Sequence, residues 1–497
     1  MWPFFQHKFI VSLNLRKQSR LRFLTSVLVL SQFLFVFHFQ ADAQKPFRQN
    51  EISGSDLTNF DLKIQDLQQQ LEELRAHQTE LIESSGSVLQ TQAEDNLIPP
   101  IFKLETDTTR SKYPDIKLKG FFQTDAIFFA QDTGNIQAVG DIQNGADFRR
   151  ARLAAAGKVW ENVKVMLEMD FAGSGRPSFT DIWFDIEDIS ENTSLKIGRY
   201  RQPIGMDGLT SSKEITFMER SLPFAFLPFR QIGAMAFGHS DDEQMTWALS
   251  GFRYPTDVYG GNIGDSGGFG LATRATKILI DDPAAERLLH IGGGYSFAYP
   301  ANDLIRYRNQ PEIVVSETPG ATTPVGVLDR VPPFVDTGLI PTQNYNLFSG
   351  ELAFVTGPFY AQSEILCSVL RQENGEINTL HGAYAYFGYF LTGESRPYKR
   401  TSGVFGRVIP NDPFNRDGGS GAWEIAGRWS YLNLNSKSIQ GGSLTDLTLG
   451  LNWYWNQYTR FEFNYIHAFL NSSPVVYGPI VRNSNADIFG VRAQIDF

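Results

Sequence analysis

The chain is poor in the residues that build disulfide frameworks and metal sites. Its one cysteine, Cys367, excludes an intramolecular disulfide. Cys367 falls on the apolar face of the alternating segment 359–369, which predicts an inert, lipid-facing small hydrophobe. The seven histidines are scattered without metal-ligand spacing. The Ser, His and Asp of segment 238–243 are adjacent in a predicted turn, where a catalytic triad is not expected. The sequence therefore predicts no enzyme activity, no metal site and no cofactor.

Long apolar runs are also missing once residues 1–43 are set aside. Those residues are typical of a signal peptide: a basic stretch at 8–22, an apolar core at 23–39 and a small-residue cleavage pattern at 41–43. A signal anchor is the alternative, and the short core argues against it. No later segment approaches the ~18 continuous apolar residues that a spanning helix needs. A mature membrane protein of this sequence must then be a closed β-barrel, because only helices and closed barrels pair every backbone group in lipid.

An excess of basic residues is absent as well. The chain has 44 Lys+Arg against 54 Asp+Glu, a formal charge of −10, and removal of the predicted signal takes this to about −14. Such acidity argues against a nucleic-acid partner. Glycine (44), phenylalanine (40) and tyrosine (18) are abundant instead. That composition is typical of barrel strands with one lipid-facing side, aromatic girdles and many turns.

The last eleven residues, 487–497, carry the clearest structural signal. Phe489, Val491 and Phe497 belong to a wholly apolar face, whereas Arg492 and Asp496 belong to a mostly polar one. This period of two predicts a strand between an apolar and an aqueous medium. A strand at the edge of a β-sandwich is the alternative for this segment alone. The same alternation at 163–171, 423–431 and 460–465 favours a barrel.

Composition along the chain predicts five segments. The signal peptide (1–43) precedes a short mature N-terminal segment (44–55), and a heptad seam of apolar residues at 56–82 predicts a periplasmic coiled coil. The seam fits self-association, with packing on the barrel's own plug or on a cell-wall partner as the alternative. A polar, proline-containing linker follows at 83–115. Residues 116–497 are long enough for a transmembrane antiparallel β-barrel of about sixteen strands, a size that leaves a water channel.

Alternation also predicts which charged side chains face the barrel lumen. The predicted inward basic residues are Arg150, Arg152, Lys158, Lys164, Arg274, Arg428, Arg460 and Arg492. The predicted inward acidic residues are Glu168, Asp170, Asp181, Asp185, Glu424, Glu462 and Asp496. Clustered guanidinium groups would favour anions such as phosphate. Basic and acidic walls facing each other would instead indicate a general diffusion channel. A further alternative is that the inward charged residues only form the solvated wall of the lumen.

Several motifs in order resemble the phosphate-selective porins of the O and P type. They are FRRA at 148–151, GRYRQPIGMDGLTSSKEITFMER at 198–220, FLTGESRPYKR at 390–400, GLNWYW at 450–455 and the C-terminal strand. The resemblance covers the whole predicted barrel. It implies a homotrimer in outer-membrane lipid of the bacterial cell, whose channel admits inorganic phosphate or other small anions.

The resemblance also implies site residues. The constriction arginine pair falls on Arg149 and Arg150, a constriction lysine on Lys164, and a phosphate-contacting serine on Ser211, with Lys213 nearby. Arg152 and Arg274 join this predicted anion path as inward arginines. The chain departs from the family at 208, where a second constriction lysine is replaced by Gly208. A general, weakly selective porin and a mainly structural tether between outer membrane and cell wall therefore stay as alternatives.

Overall fold

The computed structural model describes residues 112–173, 176–261, 267–315, 331–415 and 417–497, together with Gln69. Two compact units divide the chain, and all described residues except Gln69 belong to the second, Thr108–Phe497. The predicted signal peptide, segment 44–55, coiled coil and most of the linker lie outside the described residues. The predictions for those segments stay predictions.

Sixteen antiparallel strands of the described chain form one closed sheet. The first eight are β1 (Asp115–Gln131), β2 (Gly145–Trp160), β3 (Val163–Asp170), β4 (Ser178–Ser190), β5 (Thr193–Arg201), β6 (Arg230–His239), β7 (Met245–Arg253) and β8 (Phe269–Asp282). The second eight are β9 (Arg287–Tyr299), β10 (Ile340–Thr356), β11 (Phe359–Gln372), β12 (Ile377–Phe390), β13 (Ala422–Ser436), β14 (Ile439–Tyr454), β15 (Thr459–Ser472) and β16 (Arg482–Asp496). β1 pairs with both β2 and β16, so the sheet has no free edge. The predicted all-β barrel of about sixteen strands is confirmed.

Side chains alternate between the lumen and the outer surface as the sequence predicts. On β16, Arg492 is fully buried in the lumen, whereas Phe489 is 44% exposed on the outside. On β13, Glu424 and Arg428 are buried and Trp429 is exposed. The exposed outer residues are largely aliphatic and aromatic, which suits contact with lipid.

Connections between strands alternate between the two ends of the barrel, because all neighbouring strands are antiparallel. The end that holds the start of β1 and the end of β16 is called the terminal end, where Gly120 and Phe497 exchange two backbone hydrogen bonds. Turns there are short except for the β12–β13 loop (391–421). The opposite end carries two long connections, the β5–β6 loop (202–229) and the β9–β10 loop (300–339).

Helices in the described residues are short and lie in connections. α1 (Thr133–Val139) follows β1 and is capped by Asp132, whose side chain accepts from the Asn135 backbone N–H. α2 (Met206–Leu209) lies in the β5–β6 loop. Single 3₁₀ turns are Leu222–Phe226, Pro283–Ala285, Ala301–Asp303, Arg400–Ser402 and Val475–Tyr477. Two-residue strands pair Leu304–Ile305 with β10, Arg308–Asn309 with Val335–Asp336, and Tyr398–Lys399 with Val404–Phe405.

No helix in the described part of the chain is long and apolar enough to cross a membrane.

The β5–β6 loop crosses the lumen to the opposite wall. Three wall arginines donate to its backbone: Arg460 to the Ile215 carbonyl at 2.8 Å, Arg428 to the Glu219 carbonyl at 3.0 Å, and Arg492 to the Met218 carbonyl. Buried carbonyls without a donor are costly, so these bonds fix the path of the loop. Loop side chains Met218, Leu222 and Phe226 then join a buried apolar cluster with the inner faces of β13 and β15.

The other two long loops also fold inward and contact the first. Glu312 of the β9–β10 loop pairs with Arg428 on β13. Lys399 of the β12–β13 loop pairs with Glu214 at 2.8 Å, and Arg396 donates to the Glu214 carbonyl. Protein therefore fills the lumen against β11–β16, and the larger cavities between barrel wall and loops lie beside β2–β8.

Substituting Arg492→Met should destabilise the barrel by about 3 kcal/mol, because Asp125, paired with Arg492 at 2.7 Å, would keep a buried and unpaired charge. The midpoint of urea unfolding in detergent, followed by tryptophan fluorescence, measures the change.

Arg482→Met is the matched control, because Arg482 is exposed at the far end of the same strand. Equal midpoints for the two variants would show that the lumen cluster around Arg492 contributes nothing to stability.

Candidate functional site

A cavity of about 560 Å³ lies between the wall strands β2–β6 and the β5–β6 and β9–β10 loops. In the described part of the chain it is lined by eight arginines and by three acidic residues, Asp170, Glu219 and Glu312. The arginines are Arg149, Arg150, Arg152, Arg176, Arg199, Arg201, Arg220 and Arg230. This arginine cavity therefore has a large local excess of positive charge, although the whole chain is acidic.

Glu219 holds one group of these arginines together. Its carboxylate accepts from Arg149 at 2.8 Å and from Arg150 at 3.0 Å, and it also pairs with Arg492 at 2.8 Å. Burial alone would raise the pKa of this loop carboxyl, but the three guanidinium groups outweigh burial and hold the pKa well below its usual range. Glu219 is therefore ionised at neutral pH and partly neutralises the arginine pair.

Two further arginines of the arginine cavity have carboxylate partners. Arg152 pairs with Asp170 at 2.7 Å, and Arg230 pairs with Asp181 at 2.7 Å. Arg176 lies over the ring of Tyr259, 3.4 Å from its centroid. These contacts orient the side chains and leave part of each guanidinium group facing the cavity.

Within the described residues, Arg199, Arg201 and Arg220 donate hydrogen bonds only to neutral oxygen atoms. Arg199 bonds the Phe179 carbonyl and the Thr256 hydroxyl at 3.1 and 2.8 Å. Arg201 bonds the carbonyls of Leu209 and Thr210, both at 2.9 Å. Arg220 bonds the carbonyls of Asp207 and Thr210 at 2.9 and 2.7 Å.

No carboxylate in the described chain lies within 4.0 Å of Arg199, Arg201 or Arg220, and the Nε of Arg201 is buried without a hydrogen-bond partner. Their positive charges are therefore fixed by the fold and are not neutralised by a direct ion pair. An incoming oxyanion can supply the negative charge that pairs with them, since guanidinium groups offer planar paired donors to phosphate and carboxylate oxygens.

The structure gathers some of the predicted site residues and separates others. Arg149, Arg150 and Arg152 line the arginine cavity together. Lys164 lies elsewhere, near the β2–β3 turn at the terminal end, where it and Lys158 share the carboxylate of Glu187.

The three remaining predicted residues make structural contacts. The Ser211 hydroxyl accepts from the Lys213 backbone N–H at 3.4 Å, while its neighbour Ser212 lines the arginine cavity. Lys213 pairs with Asp496 at 3.0 Å. Arg274 pairs with Glu351 and donates to carbonyls of the β12–β13 loop, so it anchors that loop.

Five arginines of the arginine cavity were not among the predicted residues: Arg176, Arg199, Arg201, Arg220 and Arg230. Arg199 pairs across the sheet with Ile182 and Ile232, which lie on the outer face, so alternation gave no reason to place it beside a cavity. Arg220 lies in a loop without any period. The density of arginine within 198–230 was the available signal.

Comparison with known proteins decides the family. The sequence profile of the family described as phosphate-selective porin O and P matches residues 116–497. The chain belongs to that family. It is an outer-membrane channel protein, as the order of its motifs predicts.

Two relatives are similar across most of the barrel. Porin O of Pseudomonas aeruginosa is 25% identical over 402 residues, which cover 76% of this chain and 88% of the relative. An uncharacterized protein of Caulobacter vibrioides is 26% identical over 369 residues, covering 71% of this chain and 68% of the relative. Among solved structures, an anion-selective porin from Comamonas acidovorans aligns with a TM-score of 0.47 at 11% identity, covering 77% of this chain and 99% of that one.

Substituting Glu219→Gln should make the channel more anion-selective, because it removes a negative charge from beside Arg149 and Arg150 and keeps the shape of the side chain. A charge about 4 Å away is worth about 1 kcal/mol in water, or about fivefold in the anion-to-cation permeability ratio. Zero-current potentials of single channels in a potassium chloride gradient measure this ratio.

Glu376→Gln, in the exposed turn between β11 and β12, is the matched control for loss of one carboxylate. A permeability ratio that moves equally in both variants would argue against a role for Glu219 in the ion path.

Proposed function

We propose that this porin passes small anions, phosphate among them, along a path that includes the arginine cavity. The observation that carries the proposal is the set of three arginines, Arg199, Arg201 and Arg220, whose bonds go to neutral oxygens. Arg149 and Arg150, which share one carboxylate, add to the same field. A solute anion completes the charge balance there, whereas a cation meets repulsion.

Passage needs no covalent chemistry. An entering oxyanion gives up part of its water shell and receives N–H donors from guanidinium groups in its place. Apart from Arg176, which lies over the Tyr259 ring, each group is already bonded to a carbonyl, a hydroxyl or a carboxylate, so its position costs little ordering when the anion arrives. Several such donors spread over about 560 Å³ offer alternative weak contacts, which permits release toward the next one.

A general diffusion channel is the second candidate. Arg152, Arg230 and the Arg149–Arg150 pair face carboxylates, an arrangement that resembles opposed basic and acidic walls. Among the described residues, eight arginines line this cavity against three acids, and that clustering favours anions over this alternative.

Substituting Arg201→Gln should weaken phosphate block of chloride current by about fivefold, because one unneutralised charge is worth about 1 kcal/mol at contact in water. Arg201→Lys should keep the anion selectivity and still weaken phosphate more than chloride, since an ammonium group lacks the paired donors. Single-channel recordings in planar bilayers, with phosphate titrated into chloride, report both quantities.

Arg371→Gln is the control. It removes the charge of an exposed side chain near the last residue of β11, at the end of the barrel opposite the terminal end. An Arg201→Gln channel that matches this control in block and selectivity would favour the general diffusion channel.

We further propose that three barrels assemble in outer-membrane lipid and that segment 56–82 contributes to the assembly as a parallel coiled coil. Support comes from the apolar heptad seam in the sequence. Deleting residues 56–82 should lower the fraction of trimer measured by native mass spectrometry and leave single-barrel conductance unchanged. Intact trimers together with a weakened cell envelope would instead identify the segment as a contact to the cell wall.

A further inference from the structure

A second cavity, of about 340 Å³, lies inside the same half of the barrel. It is bounded by the wall strands β3–β8 and by residues 401–404 of the β12–β13 loop. Arg201 lines both this inner chamber and the arginine cavity, so the two spaces meet at one guanidinium group.

The inner chamber differs chemically from the arginine cavity. Its lining is largely apolar, including Met166, Trp183, Pro203, Leu209, Met235 and Phe237. Its cations are Lys196, Arg201 and Arg274, and Asp181 is its acidic member. Asp181 is already paired with Arg230, and Arg274 with Glu351. Among the described residues, Lys196 and Arg201 are therefore the cations of this lining that have no direct ion pair.

Lys196 contacts two aromatic rings, and Asp185 faces it across the β4–β5 pair without forming a direct ion pair. Its Nζ lies 4.2 Å from the centroid of the Trp183 ring and 4.8 Å from that of Phe237. Within the described chain it makes no hydrogen bond and no ion pair. Arg201 contributes the buried Nε that has no partner. Two positive groups, one of them with unused N–H donors on Lys196 Nζ, thus border an apolar space.

We propose that the inner chamber is a binding site for organic anions, that is, solutes with one anionic head and a compact apolar body. The inference rests on the proposed anion channel and specifies a second solute class for it. The head group lies toward Lys196 and Arg201, and the body packs against Trp183, Met235 and Phe237. Cavities of this size, mostly apolar with a few placed polar groups, are typical of small-molecule sites. Inorganic phosphate has nothing to place against that apolar lining.

Phenylphosphonate and inorganic phosphate form the test pair, because they share a head group and differ by one ring. Both are titrated as blockers of chloride current through the full-length channel in planar bilayers. We expect phenylphosphonate to block at lower concentration than phosphate. Phe237→Ala should reduce that preference about five- to tenfold, the size of one lost aromatic contact. Phe237→Leu, which keeps apolar volume and assembles with less disturbance, should reduce it by a smaller factor.

Phe387→Ala truncates an exposed aromatic side chain on the outer face of β12 and is the matched control, for which the preference should be that of the unaltered channel. If phosphate blocks but phenylphosphonate shows no preference, or if the preference survives Phe237→Ala, the inner chamber is not an organic-anion site. If neither compound blocks and the channel lacks anion selectivity, the proposed function itself fails.

Discussion

The carboxylate of Glu219 is the contact on which the arrangement of the lumen depends. It belongs to a loop that starts at β5, yet it bonds Arg149 and Arg150 on β2 and Arg492 on β16. One buried acid thus ties the β5–β6 loop to strands on both sides of the seam where the barrel closes. A negative group among three positive ones reduces their mutual repulsion. The same ion cluster therefore stabilises the loop and sets how much positive charge is left for a solute.

Charge in the lumen is distributed unevenly, and this resolves the conflict between an acidic chain and a path for anions. Beside β10–β16 the wall arginines bond loop carbonyls and acids. Arg428, for example, pairs with Glu312 and donates to the Glu219 carbonyl. Beside β2–β6 the arginines of the described chain outnumber its acids, and within that part of the chain three of them bond neutral oxygens alone. Net charge governs solubility and long-range steering, whereas a permeating ion responds to the groups it meets within a few ångströms.

Sequence patterns predicted the barrel because each strand lies between lipid and an aqueous lumen. Its residues therefore alternate between apolar and polar with a period of two. The same period placed Arg150 and Arg152 in the lumen correctly. It also placed Arg274 in the lumen but could not predict that Arg274 anchors a loop, because its partners Ser402 and Gly403 lie more than 120 residues away in a loop with no period. It also gave no depth along the strand: Lys164 points inward as expected but lies near the terminal end, beside Glu187. Direction is local information, whereas depth and loop path depend on long-range contacts.

Gly208 occupies a position where the family resemblance leads one to expect a lysine. A Cβ atom at this position would lie 2.6 Å from the Leu227 side chain, so a lysine could enter only if Leu227 moved. Arg220 reaches the same turn from further along the loop and bonds the carbonyls of Asp207 and Thr210, on either side of Gly208. A guanidinium group therefore lies against the turn where the lysine side chain would begin. Arg220 supplies positive charge at this turn, and close packing against Leu227 is possible because position 208 carries no side chain.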